Sequence, residues 1–374
     1  MSQYFATVAR SLEETAAREL ERLGATQVQP EFTGVRFAGD KELLYRVNLW
    51  ARTIFRVLVP IYDFPCRDRK SLYRGLREID WGQYLHPTNT FAVRATGKNK
   101  QLNHTHFTAL EVKNAIVDAQ RDRTGKRSTI DLEHPDLLIN VHIQKNRCIV
   151  SLDSSGESLH RRGYRPAVGW APLKETLAAA LLDLAEWHPH LPFLDPMCGS
   201  GTLPIEAAMQ SCQMAPGLFR KEFPFTNWPD FDASLWKKVR QQARDYQRKS
   251  PPAPILGSDI DEEVLQQART NASLCHLSSS ITFSQTDIAE LHPPANRGII
   301  ICNPPYGQRL GNAQDLGALY KQLGDIFKQR FTGWTAFIIT GNKELAKCVG
   351  LKASRRFQVY NGSEPCTFLK YELY

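Results

Sequence analysis

The stretch Asp195-Pro196-Met197-Cys198-Gly199-Ser200-Gly201-Thr202 concentrates an acid, two glycines and two hydroxyls in eight residues. Gly199 and Gly201 let the backbone turn tightly and pass close to a ligand. A helix opening near Thr202 presents free N–H groups, which suit a carboxylate. Asp195 suits an ammonium group. One ligand end carrying both charges is the methionine end of S-adenosylmethionine. The other phosphate- and dinucleotide-binding patterns do not fit. Pro204 stands where a third glycine would be needed, and no GK[ST] occurs. Asp259, in Gly257-Ser258-Asp259-Ile260-Asp261, suits a ribose diol, as in other doubly wound nucleoside sites. Ile260 suits the adenine face, Asp261 the cap of the next helix, and Asp287, in SQTDIAEL, the adenine amino group. Each acid alone reads equally well as a cap or a solvated residue. Three of them in order at successive strand ends read as a nucleoside site.

Asn303-Pro304-Pro305-Tyr306 supplies different chemistry. An exocyclic base amine is a poor nucleophile because its lone pair is delocalised into the ring. Acceptors aimed at its N–H bonds favour a pyramidal nitrogen with a localised lone pair. The Asn303 side-chain oxygen and the Pro304 carbonyl are such acceptors, the two prolines stiffen the loop, and Tyr306 offers a face for an extruded base. In-line attack on a sulfonium methyl then needs neither a metal nor a covalent enzyme adduct, and positioning dominates catalysis.

These residues require strands ending where they stand. From residue 174 the pattern alternates: ETLAAALLDLAEW is helical, PFLD a strand, TLPIEAAMQ a helix, PILGSD a strand, EEVLQQARTNASL a helix, and SITFSQ and GIIIC strands. DLGALYKQLGDIFKQRF is helical, TAFIITG a strand, and the C-terminal segment a strand pair. Such alternation implies a mostly parallel α/β sheet with ligands at the carboxyl ends of its strands. Upstream, QYFATVA reads as a strand, and SLEETAARELERLGA as a helix with Ser11 as cap and Gly24 as stop. VQPEFTGVRFAG reads as a hairpin, ELLYRVNLWA as a helix and TIFRVLVPIYDF as a strand. SLYRGLREIDWGQYL then predicts one helix, followed by a strand, a long helix over 105–125 and a hairpin over 136–156.

The chain has 374 residues and a formal charge of +8. Residues 66–165 hold 18 Lys and Arg against 11 Asp and Glu, leaving +1 for the rest. A basic module beside a near-neutral one suits a polyanion partner, although a solvated basic surface would look the same. The eight cysteines are scattered without a CxxC pair, which argues against a zinc site and a disulfide framework. His104 and His106, without clustered ligands, read as loop residues rather than a metal site. No apolar run approaches the roughly 20 residues of a membrane span, and the N-terminus shows no signal pattern. A cytoplasmic protein is expected.

Together these motifs resemble the THUMP-containing RNA guanine-N2 methyltransferases, closest to the RlmL type acting on large-subunit ribosomal RNA. Besides DPMCGSGTLPIEAA and NPPYG, the resemblance is carried by the linker LHRRGYR, the APLKETLAAALL helix and the insertion APGLFRKEFPFTNWPDFDASLW. It implies a ferredoxin-like region over 1–64, a THUMP RNA-binding region over 65–157, and a linker with a Rossmann-like class I methyltransferase domain over 158–374. It also implies donor contacts from Lys174, Glu175, Thr176, Asp195, Cys198, Gly199, Gly201, Asp259 and Asp287, and a guanine held by Asn303, Pro304 and Tyr306. The expected product is N2-methylguanosine in 23S ribosomal RNA, with S-adenosylmethionine as donor and RNA as partner. No metal or membrane is expected, and a monomer is the simplest expectation. Some relatives carry a second methyltransferase domain; this sequence runs to Tyr374, so a single modification is expected. Gln308 stands where relatives often have Glu. Competing readings are a transfer-RNA guanine-N2 methyltransferase, a DNA adenine-N6 methyltransferase, and a non-catalytic RNA-binding assembly factor. The basic module without a DNA-reading motif argues against DNA, and the intact motifs argue against a pure binder. Arg161, Arg162 and Arg165 read equally as phosphate clamps or a solvated linker.

Overall fold

The computed structural model describes residues 1–165, 173–306 and 313–374, the side chains of residues 313 and 314 excepted. Gln308 and linker residues 166–172 lie outside the described residues. The N-terminal half runs β1 (Ser2–Val8), α1 (Glu13–Arg22), β2 (Thr26–Glu31), β3 (Gly34–Gly39), α2 (Lys41–Trp50), β4 (Ile54–Pro65), α3 (Arg69–Arg77), β5 (Thr90–Lys98), α4 (Thr105–Thr124), β6 (Thr129–Ile130), β7 (Leu137–Gln144) and β8 (Arg147–Asp153). Its strands form one sheet in the order β2-β3-β1-β4-β8-β7-β5-β6. The long β4 pairs with β1 on one side and β8 on the other, so one sheet runs through both N-terminal regions.

The C-terminal half runs α5 (Glu175–Leu184), β9 (Phe193–Asp195), α6 (Thr202–Ser211), α7 (Ala233–Asp245), β10 (Ile255–Asp259), α8 (Glu262–Leu274), β11 (Thr282–Gln285), β12 (Ile299–Cys302), α9 (Ala313–Arg330), β13 (Thr335–Thr340), α10 (Lys343–Cys348), β14 (Arg355–Asn361) and β15 (Glu364–Glu372). Sheet order is β11-β10-β9-β12-β13-β15-β14. Pairings are parallel from β11 to β13, and β15 pairs antiparallel with both neighbours. All four residues of β12 are buried, as a central parallel strand requires. The chain steps outward from β9 to β11 on one side, then restarts at β12 on the other. That reversal opens the crevice in which such sheets bind ligands.

Two features tie the halves together. Phe223, Phe225 and Trp236, from the insertion between α6 and β10, belong to the N-terminal core. Tyr45 of α2 stacks on Phe225 at 4.8 Å, and Trp236 meets both edge-on. Trp228 and Trp236 are thus packing residues. Conversely, Leu12, 1% exposed, sits in the core of the C-terminal half.

Local expectations fail where side chains outcompete pattern. Ser11 does not cap α1; it has φ +70°, and Leu12 takes the cap position without a side-chain bond. Burying Leu12 fixes the entry to the helix instead. The helix expected over 71–85 ends at Arg77, and a separate 3-10 turn follows over Trp81–Gln83. There the Asp80 carboxylate accepts from the Gly82 N–H, and the Trp81 indole donates to the Leu76 carbonyl. Helices α7 and α10 were not expected; α7 buries Trp236, Val239 and Ala243 at helical spacing. The cysteines form no disulfide, and all except Cys348 are buried.

Candidate active site

The ends of β9, β10 and β11 are laced together by hydrogen bonds. The Cys198 N–H donates to the Ser258 carbonyl at 2.9 Å, and the Thr286 N–H to the Asp259 carbonyl at 3.0 Å. The Asp259 carboxylate accepts from the Gly199 N–H at 2.9 Å and the Asp261 N–H at 3.2 Å. It therefore fastens the glycine loop, a role that differs from the expected ribose contact. Gly199 has φ +53° and Gly201 φ +82°, backbone that favours glycine. At Gly201 an added Cβ would also lie 3.0 Å from Ala268 Cβ, so the loop packs directly on α8. Gly201 caps α6, and Asn271 of α8 donates to the Ser200 carbonyl at 3.0 Å.

Asp195 is 2% exposed, and the Met197 N–H at 3.2 Å is its hydrogen-bond partner among the described residues. Burial pushes its carboxyl well above the usual carboxylate range; the Met197 N–H opposes this and the Asp259 charge adds to it. A buried carboxylate short of donors fits a bound ammonium group. Ile260 is 66% exposed beside Asp259, an apolar surface available to a flat ring. Asp287 lies two residues beyond β11, is exposed, and accepts from the Ala289 N–H at 2.8 Å as the cap of a 3-10 turn. Asp261 caps α8, as expected. The Ser258 and Thr176 hydroxyls are buried without partners among the described residues.

Lys174, Glu175 and Thr176 open α5, and Arg165 joins that opening to the glycine loop. Its guanidinium contacts the Glu175 carboxylate at 3.5 Å, the Leu173 carbonyl at 3.4 Å, the Ser200 hydroxyl at 3.2 Å and the Thr202 hydroxyl. Glu175 is buried, which raises its pKa, while Arg165 draws it back down. Lys174 projects its ammonium over the Phe55 ring of β4, 5.4 Å from the centroid. Arg162 is no phosphate clamp: it is 1% exposed, pairs with buried Glu206, and donates to the Leu159 and Arg52 carbonyls. Arg161 is exposed and pairs with Glu157. The sequence reading missed Arg165 as a strut of the loop, because charge in a linker carries no sign of its partners.

Asn303 follows β12. Its side-chain oxygen is buried and has no hydrogen-bond donor among the described residues. Pro304 beside it is buried. Tyr306 is half-buried. Its ring lies against Gly341, where an added Cβ would come within 3.1 Å. Its hydroxyl accepts from Asn361 at 3.3 Å and from the Cys366 thiol at 3.7 Å, and burial pushes its pKa up to about 12. The β14–β15 hairpin, absent from the sequence-based site, thus holds the loop. Burial also raises the Cys198 and Cys302 thiols, helped by the Asp195 and Asp259 charges. Neither offers a thiolate for attack on a base. His104 caps α4, accepting from the Phe107 N–H.

Residues 162–370 match the RMKL-like methyltransferase domain model, 66–153 the THUMP domain, and 3–58 the RlmL ferredoxin-like domain. The slr0064 protein of Synechocystis, assigned as an RNA methyltransferase, is 57% identical over 371 residues, covering 99% of this chain and 97% of that one. The structure of SMU.472, assigned as a methyltransferase and solved with S-adenosylhomocysteine, is 32% identical with a TM-score of 0.90, over 100% of this chain and 98% of that one. A Listeria monocytogenes chain assigned as an N6-adenine-specific DNA methylase is also 32% identical, with a TM-score of 0.89 over 100% and 96%. The chain therefore belongs to the RMKL-like methyltransferase family, in the form that carries THUMP and RlmL-type ferredoxin-like domains.

Proposed function

We propose that this chain methylates the exocyclic N2 amine of guanine in RNA, with 23S ribosomal RNA as the substrate. The chain is a methyltransferase of RlmL-like type acting on RNA and drawing on S-adenosylmethionine. The donor supplies an electrophilic methyl group on its sulfonium. Asp195 would take its ammonium, the α6 N-terminus its carboxylate, Asp259 the ribose, and Ile260 and Asp287 the adenine. Lys174, Glu175 and Thr176 would close the methionine side, with Cys198, Gly199 and Gly201 forming the floor. We assign residues 1–64 and 65–157 to RNA capture and 158–374 to chemistry.

The observation that carries the amine reading is the Asn303 oxygen, buried at the end of β12 without a donor. Leaving a buried acceptor unpaired costs on the order of 1–3 kcal/mol. An incoming amine N–H would satisfy it, orienting the nitrogen lone pair toward the methyl group. Pro304 adds a carbonyl, and Tyr306, pinned by Asn361, lends a ring edge. The N–C bond would form as the donor's S–C bond breaks, the donor leaving as a neutral thioether, and the proton lost from the nitrogen would pass to water; no covalent base adduct is needed. The same acceptors would suit adenine N6, so the Listeria relative's assignment makes DNA the alternative to test. Nucleoside mass spectrometry after incubation with methyl-labelled donor separates them. N2-methylguanosine from RNA supports the proposal, and N6-methyladenine from DNA replaces it.

A further inference from the structure

Where the N-terminal half meets the end of β14, the strand whose Asn361 holds Tyr306, a cation stands exposed between two aromatic rings. Arg10 follows β1. Its guanidinium lies 5.8 Å from the Phe32 ring centroid and 5.2 Å from that of Tyr360. Phe32, at the tip of the β2–β3 hairpin, is 75% exposed. Tyr360 stands at the end of β14, next to the Asn361 that holds the Tyr306 hydroxyl. Buried Leu12 anchors the Arg10 segment in the core of the other half. The Val8 N–H donates to the Thr33 carbonyl, and the Thr33 N–H to the Glu13 carboxylate, which fixes the hairpin tip. Among the described residues Arg10 forms no ion pair and no hydrogen bond, so its five N–H donors remain available.

We infer that Arg10, Phe32 and Tyr360 form a platform for a nucleotide flanking the target base. The inference rests on the proposed RNA reading of the NPPY site. An exposed aromatic offers a stacking face that any base can use, and an unpaired guanidinium offers a phosphate contact. A protein partner is less well matched, because the patch pairs one free cation with an exposed ring, the combination that a phosphate and a base use. When the target guanine leaves its stack, its neighbour loses a partner, and Phe32 replaces it. The N-terminal region would thereby hold the strand at the reaction site itself, as well as gripping RNA at a distance.

The test uses the full chain. Binding of a short fluorescent single-stranded RNA is measured by anisotropy beside methylation of ribosomal RNA fragments with labelled donor. Phe32→Ala and Arg10→Ala should each weaken RNA binding and raise KM for RNA by about tenfold, with donor affinity as in the wild type. Phe32→Trp should restore binding, because a larger ring still stacks. Tyr246→Ala, removing another exposed ring just past the C-terminal end of α7, should change neither. An abasic nucleotide beside the target should weaken the wild type and leave Phe32→Ala no weaker still. RNA binding and KM unmoved in both Ala variants would overturn the platform while leaving the methylation reading intact. A wild type that binds RNA but methylates none sinks the methylation reading, and the anisotropy of the variants then decides the platform by itself.

Discussion

In the proposed reaction Asn303 holds the acceptor amine and Asp195 the ammonium of the donor. Asn303→Ala should lower single-turnover methylation on the order of a hundredfold, as when one preorganised polar group is removed from a site. Donor affinity, measured by calorimetry, should stay put; weakened donor binding with intact turnover would reassign the side chain. Asp195 gives a pH prediction. Its folded pKa is raised, so its contribution to stability is full below the unfolded value of about 3.9 and is lost as pH rises through the raised one. Donor binding runs the other way, because an ammonium needs the ionised form. Donor affinity should therefore climb with pH through the raised pKa and then level off. Asp195→Asn should melt higher than the wild type at neutral pH without donor, bind donor about 2 kcal/mol more weakly, and lose the pH slope. An affinity profile unchanged by that substitution would remove Asp195 from the site.

At the element scale, the openings of α5 and α6 are joined through Arg165. Arg165→Ala should weaken donor binding about tenfold with little change in melting temperature, the worth of one or two charge-assisted bonds. Arg165→Lys should not rescue it, because a point charge cannot span Glu175, Ser200 and Thr202 together. Full affinity in Arg165→Lys would show that charge alone suffices. The sequence made the glycine loop, Asp259 and NPPY legible because each sits at the junction of a strand and a helix, where periodicity and glycine both speak. It hid Arg165, Asn361 and Gly341, whose roles come from contacts far along the chain. It misplaced the start of α1 because a tertiary contact, the burial of Leu12, outweighs a local capping pattern. It also left α7 unread, since Trp236, Val239 and Ala243 serve the core of the other half.

At the scale of the molecule, the halves interlock: Leu12 sits in one core, and Phe223, Phe225 and Trp236 in the other. Calorimetry should show one cooperative transition. Trp236→Ala should cost about 3–5 kcal/mol and lower that single transition; two separate transitions would show that the halves are independent. Residues 158–374 expressed alone would expose the same aromatic cluster, so tests of catalysis belong to the full chain. The proposed reaction is methylation of guanine N2 in 23S ribosomal RNA. The most direct measurement incubates the full chain with labelled S-adenosylmethionine and unmodified ribosomal RNA, then digests the RNA and identifies the labelled nucleoside by mass spectrometry. Labelled N2-methylguanosine is expected from wild type, reduced on the order of a hundredfold in Asn303→Ala. Label in any other nucleoside, or equal label in the two proteins, would contradict it.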